Sequence, residues 1–96
     1  MIASFGDAAT EDLFHSVNTK AARSIDRAIW PVVRWKLDLV NAAASLEDLR
    51  VAPGNRLEAL RGDQKGRYSI RVNDQYRVTF RFEHATAHAV RCEDYH

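Results

Sequence analysis

Cysteine is nearly absent from this 96-residue chain, Cys92 being the only one. That excludes a disulfide framework and a thiolate metal site. Long apolar runs are missing too. No stretch approaches the ~20 residues of a membrane helix and no signal peptide opens the chain, so a soluble, cytoplasmic protein is expected. The four histidines, His15, His84, His88 and His96, show no metal-ligand spacing, and no repeat or low-complexity tract is present. Charge of one sign is also lacking: the net charge is +1, so overall electrostatics do not announce a nucleic-acid binder. What is present, 46% apolar and 28% charged residues, describes one ordinary globular domain spanning residues 1–96.

The charge is local. Between Gly54 and Phe82 lie seven basic residues (Arg56, Arg61, Lys65, Arg67, Arg71, Arg77, Arg81) and three acidic ones (Glu58, Asp63, Asp74), an excess that suits either a phosphate-facing surface or a solvated strand face. The same stretch alternates with period two. Tyr68, Ile70 and Val72 share a face, as do Tyr76, Val78, Phe80 and Phe82, which predicts a hairpin with one apolar and one basic side. A two-residue turn would set Ile70 against Arg77. A three-residue loop, Asn73-Asp74-Gln75, pairs Val72 with Tyr76, Ile70 with Val78 and Tyr68 with Phe80. It also sets Arg71 opposite Arg77, a destabilising like-charge pair that needs compensation from carboxylates or a ligand.

Around the hairpin, Met1 to Phe5 reads as a first strand, and Asp7 as the N-cap of a short helix ending near His15. Ile25, Ile29, Val33, Leu37 and Val40 form a helical stripe, predicting a long helix from Ser24 or Asp26 to Ala44. Pro31 marks either a kink in it or a first helical position after a separate turn. Trp30 and Trp35 flank it and are read as packing residues. Ser45 caps a single further turn, Leu57 to Leu60 is a weak strand, and residues 62–66 form a loop. A last strand is expected from about His88 to Asp94, with Phe82 opposite His88, Val90 opposite Phe80, Cys92 opposite Val78 and Glu93 opposite Arg77. A tighter loop would instead pair Phe82 with Thr86. The segregation of helices from strands implies an α+β domain with two N-terminal helices packed on a small twisted antiparallel sheet. Its basic face is expected to stay open.

Glu93-Asp94-Tyr95-His96 bring a carboxylate, a phenol and an imidazole beside arginine-bearing strands. These are the parts for acid–base cleavage of a phosphodiester. Arg56-Leu57, Leu60-Arg61-Gly62-Asp63, Ser69-Ile70-Arg71-Val72-Asn73, Tyr76-Arg77-Val78-Thr79-Phe80 and the Glu93–His96 run together resemble the HigB-type killer proteins. These are RelE/ParE-superfamily toxins of type II toxin–antitoxin modules. The resemblance implies helices against a twisted antiparallel sheet and ribosome-dependent mRNA cleavage without metal or cofactor, with arrest of translation and growth. It implies a helix-turn-helix antitoxin as partner, with operator DNA bound through the complex, and no membrane role.

Carried over by position, the catalytic candidates are Arg61, Arg77, Asp94, Tyr95 and His96. Arg61 would contact phosphate, Arg77 would stabilise the scissile phosphate, His96 would move the proton and Tyr95 would orient or stack on a base. Glu58 stands where some members have histidine, so a proton-transfer role either passes to a carboxylate or is lost. Arg61, Lys65, Arg67 and Arg71 are the candidate RNA-binding residues. Two rival readings stay open: a weakly active or non-catalytic module that binds antitoxin or RNA, and a gyrase-poisoning relative.

Overall fold

The computed structural model describes residues 1–94. Among them, three α-helices, α1 (Ala8–Phe14), α2 (Trp30–Ala42) and α3 (Leu46–Val51), precede four strands. The strands are β1 (Glu58–Ala59), β2 (Arg67–Arg71), β3 (Tyr76–Glu83) and β4 (Thr86–Asp94), and they form one antiparallel sheet in the order β1-β2-β3-β4. The expected α+β layering is what the chain adopts.

Local chemistry starts each helix. The Asp7 carboxylate accepts from Thr10 N at 2.8 Å, capping α1, and Ser45 and Asp48 close a capping box on α3. The long helix begins later than the apolar stripe suggests. Residues Ala22–Ser24 and Arg27–Ile29 are separate 3-10 turns, and α2 starts at Trp30 with Pro31 in its first turn. There a missing N–H is harmless, so the separate-turn alternative for Pro31 holds and no kink is needed. The two tryptophans part company. Trp30 is buried and donates from Nε1 to Ile25 O at 2.8 Å, whereas Trp35 is 52% exposed, against the expectation that it packs.

The helices cover one face of the sheet. Leu13, Val33, Leu37, Val40 and Leu49 meet Ile70, Val78, Phe80 and Val90, all essentially inaccessible to water. The β2–β3 hairpin has the expected register: Tyr68 faces Phe80, Ile70 faces Val78 and Arg71 faces Arg77. Val72 and Asn73 both donate to Tyr76 O, closing the three-residue loop.

The β3–β4 pairing corrects the reading partway along. Arg77 faces Glu93 and Val78 faces Cys92 as expected, but Phe82 faces Ala87 rather than His88, and β4 begins at Thr86. Between Thr79 and Arg81 the register shifts. β3 has Phe80 there while β4 has both Ala89 and Val90, with Ala89 at φ 50°. This one-residue bulge lets a tight turn at His84-Ala85 coexist with the apolar register further on. The expected strand at residues 1–5 is likewise only an extended segment. It touches β4 through isolated parallel bridges, Ile2 to Ala87 and Phe5 to Val90, and the bulged strand offers it no continuous ladder.

Candidate active site

Alternation puts Arg67, Ser69 and Arg71 of β2, Arg77, Thr79 and Arg81 of β3, and Arg91 and Glu93 of β4 on the face away from the helices. Its centre is closed, contrary to the expectation of an open basic surface. Arg67 is 5% exposed, and its Nη2 donates to Thr79 Oγ1 at 2.9 Å and to Ala89 O, at the bulge, at 2.9 Å. Burial, with Arg91 and Arg81 nearby, lowers its pKa against the pull of Glu93. The Thr79 hydroxyl in turn donates to the Glu93 carboxylate. Arg67, expected to bind RNA, is therefore an internal cross-link between β2, β3 and β4.

The like-charge pair Arg71–Arg77 is compensated by carboxylates. Arg71 Nη2 lies 2.5 Å from Asp74 Oδ1 at the hairpin tip, and that guanidinium holds the Asp74 carboxyl below its usual range. Arg77 keeps 13% of its side chain exposed, with Nη2 4.0 Å from Glu58 Oε1 and Glu93 directly across the ladder. Glu58 reaches it from β1, whose pairing with Ser69 aligns the edge strand. Glu58, Ala59, Leu60 and Arg61 line an open cleft of about 660 Å³. The structure thus brings together Arg77, Glu58 and the cleft that Arg61 borders. Lys65 is exposed beyond the 3-10 turn at Gly62–Gln64.

Asp94 ends β4 opposite Tyr76, one position past the Arg77–Glu93 pair, and so belongs to the alternate face. Its Oδ2 accepts from Gln75 Nε2 at 3.1 Å, and its charge adds to burial in raising the Tyr76 pKa. Tyr95 and His96 lie outside the described residues.

Sequence reasoning missed a second polar knot. Lys36 of α2 is buried, with Nζ 2.5 Å from Asn55 Oδ1 and 4.7 Å from the Trp35 ring centroid. Burial, then the charge of Arg71, lowers its pKa. Asn55 also donates to Leu49 O at 3.0 Å, and its own carbonyl accepts from Arg71 N at 2.6 Å. It thereby fixes the approach to β1. A lysine inside an apolar helical stripe was the available signal.

Helices on one side of a four-stranded antiparallel sheet, with an arginine-rich far side, are an arrangement shared with solved structures. The fold matches the YoeB-YefM complex from Staphylococcus aureus with a TM-score of 0.61 and 14% identity, over 100% of this chain and 98% of that one. The family model described as the RelE-like toxin of type II toxin-antitoxin system HigB matches residues 3–96. Toxin HigB-1 of Vibrio cholerae is 46% identical over 63 residues, 66% of this chain and 66% of that protein. Endoribonuclease HigB of Proteus vulgaris is 31% identical over 98 residues, 100% of both. The chain belongs to the HigB-like toxin family.

Proposed function

We propose that this toxin is an endoribonuclease that cuts mRNA on the ribosome by acid–base chemistry. The observation that carries this is Arg77, held between Glu58 and Glu93 and joined through Glu58 to an open cleft. In the reaction, a base takes the 2′-hydroxyl proton and the 2′-oxygen attacks phosphorus. Arg77 and Arg61 stabilise the charge on the phosphorane, and an acid protonates the departing 5′-oxygen. Glu58 is the base, His96 the acid and Tyr95 orients a base of the RNA, with Asp94 a further catalytic candidate by its motif position. Lys65 and Arg71 steer the RNA backbone, Arg71 by exchanging Asp74 for phosphate. Family membership brings an antitoxin partner; the finer proposal is a helix-turn-helix antitoxin whose complex with the toxin binds operator DNA. The ribosome and mRNA place the reaction in the cytoplasm.

Inducing the chain alone should arrest growth and create new ends in translated mRNA, and Arg77→Ala combined with deletion of His96 should relieve both. Unchanged toxicity of that variant overturns the mechanism, and DNA damage with intact mRNA would favour a gyrase poison. Glu58→Gln should slow cleavage by about a hundredfold, the lower range for a general base. Faster cleavage would recast Glu58 as a clamp on Arg77.

A further inference from the structure

One arginine on the polar face is seated by the backbone of a distant segment. Arg91 lies on the face of Arg77 and Glu93, diagonal to Arg77 across the β3–β4 ladder. Gly6, whose N–H donates to Val90 O at 2.8 Å, lies against its stem. A Cβ on Gly6 would fall 2.3 Å from Arg91 Cγ, 2.5 Å from Cδ and 3.0 Å from Nε, so all three of the nearest atoms belong to Arg91. Gly6 is not among the glycines with positive φ, which are Gly54, Gly62 and Gly66. It is Arg91, and not an unusual backbone angle, that requires glycine here.

The seated guanidinium makes only a long ion pair with Glu93, two residues along the strand, of the same length as the Arg77–Glu58 pair and so loose enough to be exchanged for a ligand. Glu93 Oε1 stays 4.0 Å from Arg91 Nη1, while the other Glu93 oxygen is engaged by Thr79. Arg91 Nε is buried with no hydrogen-bond partner among the described residues, and 34% of the side chain remains exposed. A half-exposed planar donor fork, held by shape beside the arginine of the site, suits a phosphodiester.

We propose that Arg91 is a further phosphate-binding residue, taking a backbone phosphate of the RNA strand that passes Arg77, and that Gly6 is its positioning residue. The ligand class rests on the ribonuclease reading above. The Arg67–Thr79–Glu93 cross-link serves the same end, because it keeps Glu93 from closing on Arg91.

The test uses the full chain and a single-stranded 2′-O-methyl oligonucleotide, which lacks the 2′-hydroxyl and cannot be cut. Affinity is measured by fluorescence anisotropy over a series of salt concentrations. Arg91→Ala should weaken binding at low salt and reduce the slope of log K against log salt by about 0.7, the value for one phosphate of a single strand. Arg91→Lys should keep most of the slope. Gly6→Ala should reproduce the loss with the melting temperature nearly unchanged, and should add nothing in an Arg91→Ala background. A purely structural Arg91 would move the melting temperature and leave the slope alone. The proposal is overturned by an unaltered slope in Arg91→Ala, by equal losses from Gly6→Ala with and without Arg91, or by a wild-type chain that ignores the oligonucleotide at low salt. New mRNA ends in cells together with an unaltered slope refute Arg91 alone. A reduced slope without mRNA cleavage refutes the nuclease reading alone.

Discussion

The two faces of the sheet are equally dry at their centres and are held by different means. Toward the helices, Ile70, Val78, Phe80 and Val90 are fully buried, and burial of apolar surface is non-directional. On the other side Thr79 is as buried and Arg67 nearly so, and a polar group in that position generally needs a particular partner, although the equally buried Ser69 Oγ has none among the described residues. Arg67 finds Thr79 and Ala89, and Thr79 finds Glu93. Charge counted along a strand is therefore not charge offered to a ligand. Of the seven basic residues between Gly54 and Phe82, Arg67 is sunk, Arg71 is tied to Asp74 and Arg77 leans on Glu58.

This contrast can be broken most severely from the apolar side. Phe80→Ala should cost about 3–5 kcal/mol, as for other large core truncations, read as a lowered urea midpoint. The protein that remains folded should still bind RNA. A smaller loss would mean that the helices collapse onto the gap. On the polar side, Thr79→Val keeps shape and removes the hydroxyl, leaving Arg67 and Glu93 each short of a partner. About 1–3 kcal/mol should be lost, with Thr79→Ser recovering most of it. A neutral Thr79→Val would show that water replaces the cross-link.

A probe that first leaves the sequence untouched is alkaline. Burial pushes the Cys92 thiol, ordinarily near 9.0, up to about 12. Below 9.0 both folded and unfolded chains keep the proton and the contribution to stability is intact. Between the two values the unfolded thiol has ionised and the folded one has not, so stability falls as pH rises. This one group accounts for about 1.4 kcal/mol per pH unit. Cys92→Ala should remove that component from the pH dependence of denaturation, and an identical decline would assign it to other groups.

The apolar face and the β2–β3 register were legible because a period-two pattern and one loop length decide them together. The start of α2 was not, since Ile25, extended between the two 3-10 turns, and Ile29, ending the second, pack on the core without being part of the helix. Pro31 held the answer, and its two readings could not be separated without packing. The bulge at Ala89 left no mark, because alanine is a poor signal for a positive φ. Within the candidate site, motif positions singled out Arg77 and Arg61, and Glu58 as a departure from the motif; the structure sets Glu58 near Arg77, at the cleft that Arg61 borders. The inward turn of Arg67 was not legible, because it depends on the Ala89 carbonyl that the bulge presents. Glu93 opposite Arg77 was read correctly from the register, and Asp94, one residue further on, falls by alternation on the other face, opposite Tyr76, which its motif position did not show.

The turn between β3 and β4 carries a consequence of its own. Glu83 faces Thr86 across two residues, His84 and Ala85, with φ of 50° and 61°. Those are angles that Asn-Gly adopts readily and that a side chain with a Cβ resists by about 1–2 kcal/mol per residue. This two-residue corner is thus spelled in unfavourable letters. The fold consequently holds an undrawn reserve of stability, which His84→Asn with Ala85→Gly would release without touching either face of the sheet.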